Sequence, residues 1–221
     1  MGVFEIISDY RNLFLEGLGN TLLLVAYIYP IGLVIGTILG TISYKYKYSI
    51  GILSRGFSTI VAATPILVIL FWLHYPLQYM LDVVIDPFYT SVFAISLVAI
   101  FLISDIIYNS LVEFPQQYVA SAKVCGLDSL TIVRKIQLPI IVRQVLPSIL
   151  NILVIILQTT LFTSLISVNE LFRVSQQINA EIYRPVEIYT ALGIFYVGIS
   201  LLIFAMAHFI KIRFTRNISE V

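Results

Sequence analysis

Few side chains in this 221-residue chain are equipped for chemistry, and they are scattered through long apolar stretches. Asp105 is the one acidic residue well inside such a stretch. Burying a carboxylate there costs roughly 3 kcal/mol unless it meets a partner or a wet cavity. Asp105 is therefore either a contributor to a polar path or a structural charge satisfied by polar neighbours. Gln158, Thr159 and Thr160 set an amide beside two hydroxyls in another apolar stretch, able to hydrogen-bond a polar solute or an adjacent helix. Thr64 and Pro65 interrupt a third. Helix breaks at membrane depth are tolerated where the freed backbone groups line a cavity or are buried in protein, so this pair is a pore-lining candidate or a plain kink. Such groups suit holding and passing a small polar molecule. Catalytic equipment is missing: His74 and His208 lack metal-ligand spacing to another candidate, and no Ser/His/Asp set lies within the apolar stretches. No G-x-x-x-x-G-K-[ST] phosphate loop occurs, so the chain is not expected to hydrolyse ATP.

Composition dictates the elements that must position these groups. The chain is 59% hydrophobic and 11% charged, with a mean hydropathy of +0.98, whereas soluble domains are roughly 25% charged. This is the composition of an integral membrane protein. A net charge of +1 gives no reason to expect a nucleic-acid partner, and Cys125, the single cysteine, excludes an internal disulfide. Glu5 and Asp9 stand where a secretory signal carries basic residues, and the Met-Gly start lacks Ser or Thr at position 6. The chain is expected to be unprocessed.

Uncharged runs cover residues 17–44, 56–81, 87–104, 144–169 and 188–210. About 20 apolar residues in a helix cross a hydrocarbon core, which predicts five transmembrane helices near 18–44, 56–80, 88–112, 144–168 and 188–210, the third extended across Asp105. Lys45, Lys47, Arg55, Lys123, Arg134, Lys135, Arg143, Lys211, Arg213 and Arg216 fall on one side of this layout, and only Arg11, Arg173 and Arg184 on the other. Basic residues in short loops stay cytoplasmic. The predicted topology is N-out and C-in, with residues 113–143 cytoplasmic and an external amphipathic helix within 169–187.

The cytoplasmic segment has its own punctuation. Pro115 suits the first turn of a helix and Gly126 the stop just past its end. Asp128 or Ser129 is then able to cap a second short helix running to Leu138, before Pro139. The product is helix, glycine corner, helix, with the small residues Ser121, Ala122 and Gly126 permitting close approach by another surface. It serves either as an amphipathic helix on the lipid surface or as a docking element for a cytoplasmic partner.

From Ala120 the segment reads A-S-A, three residues, Gly126, nine residues, then Ile136-Gln137-Leu138-Pro139. This resembles the cytoplasmic signature of permease subunits of binding-protein-dependent ABC importers, E-A-A, three residues, G, nine residues, I-x-L-P. Ala120 and Ser121 replace the signature's Glu and first Ala; Ala122, Gly126, Ile136, Leu138 and Pro139 match. The chain is most similar to the polar amino acid branch. Gly17-Leu18-Gly19-Asn20-Thr21-Leu22 resembles its G-L-x-N-T-L, Thr64-Pro65-Ile66-Leu67-Val68 its T-P-L-L-V, Val168-Asn169-Glu170-Leu171 its V-x-E-L, and Arg184-Pro185-Val186-Glu187-Ile188-Tyr189 its R-P-x-E-x-Y. Three departures stand beside these matches: Ala62-Ala63 for Arg-Gly, Asp105-Ile106-Ile107-Tyr108-Asn109-Ser110 for E-I-V-R-G-G, and Gln158-Thr159-Thr160-Leu161 for K-D-T-S. They remove basic groups from the membrane interior and bear on the solute more than on the transporter class.

The resemblance implies an all-α type I importer permease fold that pairs with a second permease copy, identical or similar, and sits in the lipid of a bacterial or archaeal cytoplasmic membrane. It implies ATPase subunits that bind ATP and Mg and receive a coupling loop carrying Ala120, Ser121, Ala122, Lys123, Gly126, Leu127, Ile136, Leu138 and Pro139. An external solute-binding protein would deliver an amino acid. Glu170 joins Thr64, Pro65, Asp105, Gln158, Thr159 and Thr160 as a path candidate, and no cofactor is expected in this chain itself. A permease for another small polar solute, the degenerate half of a heterodimeric permease, and a membrane scaffold are the alternatives. Gly32, Gly36 and Gly40 form overlapping G-x-x-x-G repeats on one face of the first span and are read as close packing within the subunit rather than a dimer seam.

Overall fold

With no water in the bilayer core, each crossing segment must satisfy its own backbone groups, and a helix does so residue by residue. A computed structural model of the chain describes residues 2–215, except the side chains of His208 and residues 210–215. Of the basic residues behind the predicted topology, Lys211 and Arg213 thus lie outside the described side chains and Arg216 outside the described residues. In order, the helices are α1 (Val3–Asp9), α2 (Arg11–Lys45), α3 (Ile50–Ala63), α4 (Ile66–His74), α5 (Pro76–Leu81), α6 (Pro87–Val112), α7 (Gln116–Val124), α8 (Ser129–Ile132), α9 (Leu138–Thr159), α10 (Leu171–Ile182) and α11 (Pro185–Thr215). A π-helical turn, Val133–Gln137, joins α8 to α9, and a 3₁₀ helix, Thr160–Ile166, continues α9.

Among the described residues, four stretches are long and apolar enough to cross a membrane: Arg11–Lys45, Pro87–Val112, Ser129–Ile166 and Pro185–Ala207. The second predicted span, 56–80, is not one straight helix. α3 and the α4–α5 segment meet at 96°, because Pro65 disfavours the helical region for Thr64, which is extended (φ −91°, ψ 124°). Both the N–H and the hydroxyl of Thr64 turn back to the Ile60 carbonyl, closing α3.

A second correction concerns the cytoplasmic corner. Its second helix does not stop before Pro139; α8, the π turn, α9 and the 3₁₀ segment run on without a loop from Ser129 to Ile166. Proline lacks an N–H and its ring crowds the carbonyl four residues earlier. Here it sits in the first turn of α9, just after the π turn, in which the Leu138 N–H reaches the Val133 carbonyl. The wider turn lets the chain pass the proline.

α2 and α6 run parallel and close together. A Cβ on Gly32 would lie 2.8 Å from the Ala99 Cβ, one on Gly36 2.7 Å from the Ile100 carbonyl oxygen, and one on Gly40 2.6 Å from that of Ser104. The glycine stripe is therefore packing within the chain. α3 runs antiparallel to α6, and α9 packs on α2 and α6 around Leu24, Ile28, Ile95, Ile103, Ile152 and Leu157. A smaller core of Ile6, Phe14, Leu171, Val174, Ile178 and Ile188 pins α1 and α10 to α2 and α11, with the Phe14 and Phe195 rings stacked at 5.3 Å. The bundle thus has an α10 end and an α7 end.

Candidate functional site

The polar residues of the fourth crossing collect where its helix tightens. Thr160, Thr163 and Ser164 each return the hydroxyl to the carbonyl three residues earlier, at 2.7, 2.7 and 2.8 Å, which matches the i to i+3 ladder of the 3₁₀ segment. Gln158 and Thr159 lie at this junction, toward the α10 end. They line a groove of about 600 Å³ whose other walls include Phe162, Tyr189, Gly193 and Tyr196. The Thr159 hydroxyl donates to the Ile155 carbonyl at 2.7 Å. Gln158 is exposed on this wall. Thr160 is buried behind this surface.

Glu170 lies outside the groove, on the far side of Tyr196. It is fully buried and caps α10: its carboxylate accepts the Phe172 and Arg173 N–H groups, both at 2.8 Å, and the Tyr196 hydroxyl donates to it at 3.4 Å. Burial pushes the carboxyl up to about 7, against the opposing pull of these hydrogen bonds. The next residue is held from α2, since the Leu171 N–H donates to the Thr21 hydroxyl oxygen at 3.1 Å. Asn20 donates its amide to the Asn169 carbonyl at 2.7 Å. Gly17 leaves room for this approach, as a Cβ there would lie 3.0 Å from the Leu171 Cα. The G-L-x-N-T-L-like and V-x-E-L-like runs, some 150 positions apart, are two halves of one joint. Sequence reasoning marks Gly17, Asn20 and Thr21 only as members of a motif and gives no signal for Tyr196.

Asp105 and Thr64–Pro65 do not join the groove. Asp105 is half-buried at the α3–α6 contact and accepts the hydroxyl of Ser58. One turn nearer the α7 end, the Arg55 guanidinium lies over the Tyr108 ring, 4.9 Å from its centroid. Thr64 and Pro65 form the break between α3 and α4. His74 Nδ1 lies 3.2 Å from Gln78 Nε2 and 3.4 Å from Thr90 Oγ1.

At the other end, α7 finishes in a glycine-terminated corner. Gly126 is left-handed (φ 78°); its N–H reaches the Lys123 carbonyl and the Leu127 N–H the Ala122 carbonyl, the Schellman pattern that consumes a helix's last carbonyls. Pro115 precedes α7 as its N-cap instead of occupying the first turn. Asp128 caps α8 through the Thr131 N–H at 3.3 Å, and its hydrogen bonds to Thr131 hold its carboxyl below the usual range. Ala122 is buried, while Ala120, Ser121 and Lys123 are exposed. Val124, Leu127 and Leu130 stand 89%, 40% and 62% exposed around the corner. Ile136 and Pro139 are half-buried and Leu138 exposed along the π turn and the start of α9.

Residues 32–216 match the family described as binding-protein-dependent transport system inner membrane component. The glutamine transport system permease protein of Escherichia coli strain K12 is 28% identical over 192 residues, 86% of this chain and 88% of the relative. The octopine transport system permease protein of Rhizobium radiobacter is 23% identical over 197 residues, 86% of this chain and 80% of the relative. The fold is similar to that of an amino acid ABC transporter crystallised with histidines, with a TM-score of 0.85 at 21% identity, covering 94% of this chain and 96% of that one. It is also similar to the MetNI methionine ABC transporter in its inward-facing form, with a TM-score of 0.78 at 18% identity and coverages of 93% and 98%. These likenesses identify the type I importer permease fold.

Proposed function

Because the chain belongs to the family of binding-protein-dependent transport system inner membrane components, we propose that it forms the translocation path of an ATP-driven importer of amino acids. The α7 end is cytoplasmic, as the ten basic residues of the predicted inner side require, and the membrane is that of a bacterium or archaeon. A second permease copy completes the path, and an external binding protein brings solute to the α10 end.

One observation carries this assignment: the corner made by α7, Gly126 and α8 presents Val124, Leu127 and Leu130 to solvent and is continuous through the π turn with a membrane-crossing helix. Apolar side chains held outward on a capped, rigid corner suit docking in a socket of another protein. The partner is an ATPase subunit that holds ATP and Mg, and its nucleotide state biases the path between inward and outward access. Ala120, Ser121, Lys123 and Leu127 form the contact surface, Ala122 and Gly126 shape it, and Ile136, Leu138 and Pro139 transmit its movement. Gln158 and Thr159 line the path; Thr160 and Glu170 hold its walls, and Thr64–Pro65 and Asp105 set the course of α3 beside it.

Gentle purification of the tagged chain from its native membrane tests this directly. An ATPase chain recovered in stoichiometric amount is the expected result. A chain recovered alone, with no cross-link through the exposed Cys125, returns the corner to the lipid surface and the protein to a scaffold.

A further inference from the structure

The groove between the end of α9 and α11 is polar without being charged. Gln158 contributes an amide, Tyr189 a hydroxyl, Thr159 a hydroxyl oxygen whose proton is held by the Ile155 carbonyl, and Tyr196 the face of its ring, while among the described residues no Asp, Glu, Lys, Arg or His lines it. The carboxylate behind the wall is already committed, since Glu170 accepts two backbone N–H groups and the Tyr196 hydroxyl. A ligand in the groove therefore meets donors and acceptors but no counter-ion.

Resting on the amino acid importer assignment, we propose that this groove is the chain's own solute-recognition site and that it accepts amino acids with uncharged polar side chains while rejecting those whose side chain adds a net charge. The α-ammonium and α-carboxylate are common to every amino acid and sum to zero, so they do not discriminate between solutes; the side chain does. A guanidinium, ammonium or second carboxylate loses water on entry and finds nothing to replace it. An amide or hydroxyl side chain exchanges its hydrogen bonds with water for bonds to Gln158 and the Tyr189 hydroxyl, and Gln158 provides both donor and acceptor. Phe162 and the faces of Tyr189 and Tyr196 cover the aliphatic part of such a ligand.

Gly193 gives a means of closing the groove without disturbing the fold. It lies on the groove wall, and a Cβ added there would meet nothing within 4 Å. The experiment uses the complete transporter, purified with its ATPase subunits in lipid nanodiscs, and measures equilibrium binding of L-glutamine, L-arginine and L-glutamate in the absence of any binding protein. Glutamine is expected to bind about tenfold or more tightly than either charged competitor, the cost of an unpaired buried charge. Gly193→Phe should lower glutamine binding by about tenfold through occupation of the groove, with melting temperature and ATPase stoichiometry unchanged. Gln158→Glu should reverse the preference toward arginine. Equal binding of arginine and glutamine, undiminished binding in Gly193→Phe, or binding of none of the three overturns the proposal. Absence of ATPase subunits from the wild-type preparation contradicts the importer assignment itself, before any solute is added, and takes the groove's role with it.

Discussion

The hydroxyl of Ser58 in α3 donates to a carboxylate oxygen of Asp105 in α6. Three residues earlier in α3 and three later in α6, Arg55 lies over Tyr108, so the antiparallel pair is joined at two successive levels. The only acidic residue deep in a predicted span thus ties helices together. Ser58→Ala is expected to destabilise the protein by about 2 kcal/mol, the range for a hydrogen bond to a charged group, measured as a lowered melting temperature in detergent. Asp105→Asn keeps an acceptor for Ser58 and should retain both stability and uptake. Loss of uptake in a stably folded Asp105→Asn would instead make the charge part of the path.

Gly36 tests the α2–α6 packing. Its added Cβ would sit 2.7 Å from a backbone oxygen and 2.9 Å from the Ile103 Cβ, neither of which yields easily. Gly36→Ala is expected to cost about 1–3 kcal/mol by overpacking, visible as reduced membrane abundance and melting temperature. Gly56→Ala, where a Cβ meets nothing within 4 Å, is the matched control and should leave both unchanged.

Glu170 predicts a pH dependence of the α10 end. Its folded pKa is raised from 4.5 to about 7, so its contribution to stability is fully present below about 4.5 and is lost as pH rises through 7. The effect amounts to about 3 kcal/mol, at ~1.4 kcal/mol per pH unit of displacement. Amide hydrogen exchange across α10, corrected for intrinsic rates, should show weaker protection at pH 8 than at pH 5. Glu170→Gln should flatten that difference; an unchanged slope would assign it to another group.

Gly126 is the coupling test. Its left-handed backbone makes Gly126→Ala cost about 1 kcal/mol, loosening the corner without adding bulk. Gly126→Trp adds a large side chain beside Val124 and Leu127, where a Cβ would meet open space. Both variants should insert normally, Ala reducing solute-stimulated ATP hydrolysis a few-fold and Trp abolishing it or the assembly. Full coupled transport by Gly126→Trp would remove the docking role.

The crossings were legible because hydropathy and charge are local properties, and the corner because Gly126 and Asp128 punctuate it locally. Thr64–Pro65 announced a break but not its 96° angle, which depends on the neighbours against which α3 and α4 pack. Pro139 misled: local preference says stop, yet the π turn upstream accommodates the ring and the helix continues. The Thr21–Leu171 and Asn20–Asn169 bonds were invisible because they join positions 150 and 149 apart, and nothing in periodicity pairs them. For the same reason the sequence offers Glu170 as a path candidate with no sign that its carboxylate caps α10.

The unbroken course of helix from Ser129 to Ile166 covers 38 residues, about 55 Å at the ~1.5 Å rise per residue of a helix. Such a rod is a lever with its short arm at the corner and its long arm at the groove. With the π turn as fulcrum, about 30 Å of helix separates it from Gln158, so a tilt of about 5° displaces Gln158 by about 3 Å, by the same geometry. That is about the width of a water molecule, enough to loosen the contact of Gln158 with the α11 wall. A partner gripping the corner would set the width of the groove by leverage, and the stiffness of the π turn at its fulcrum would determine how much of each stroke arrives.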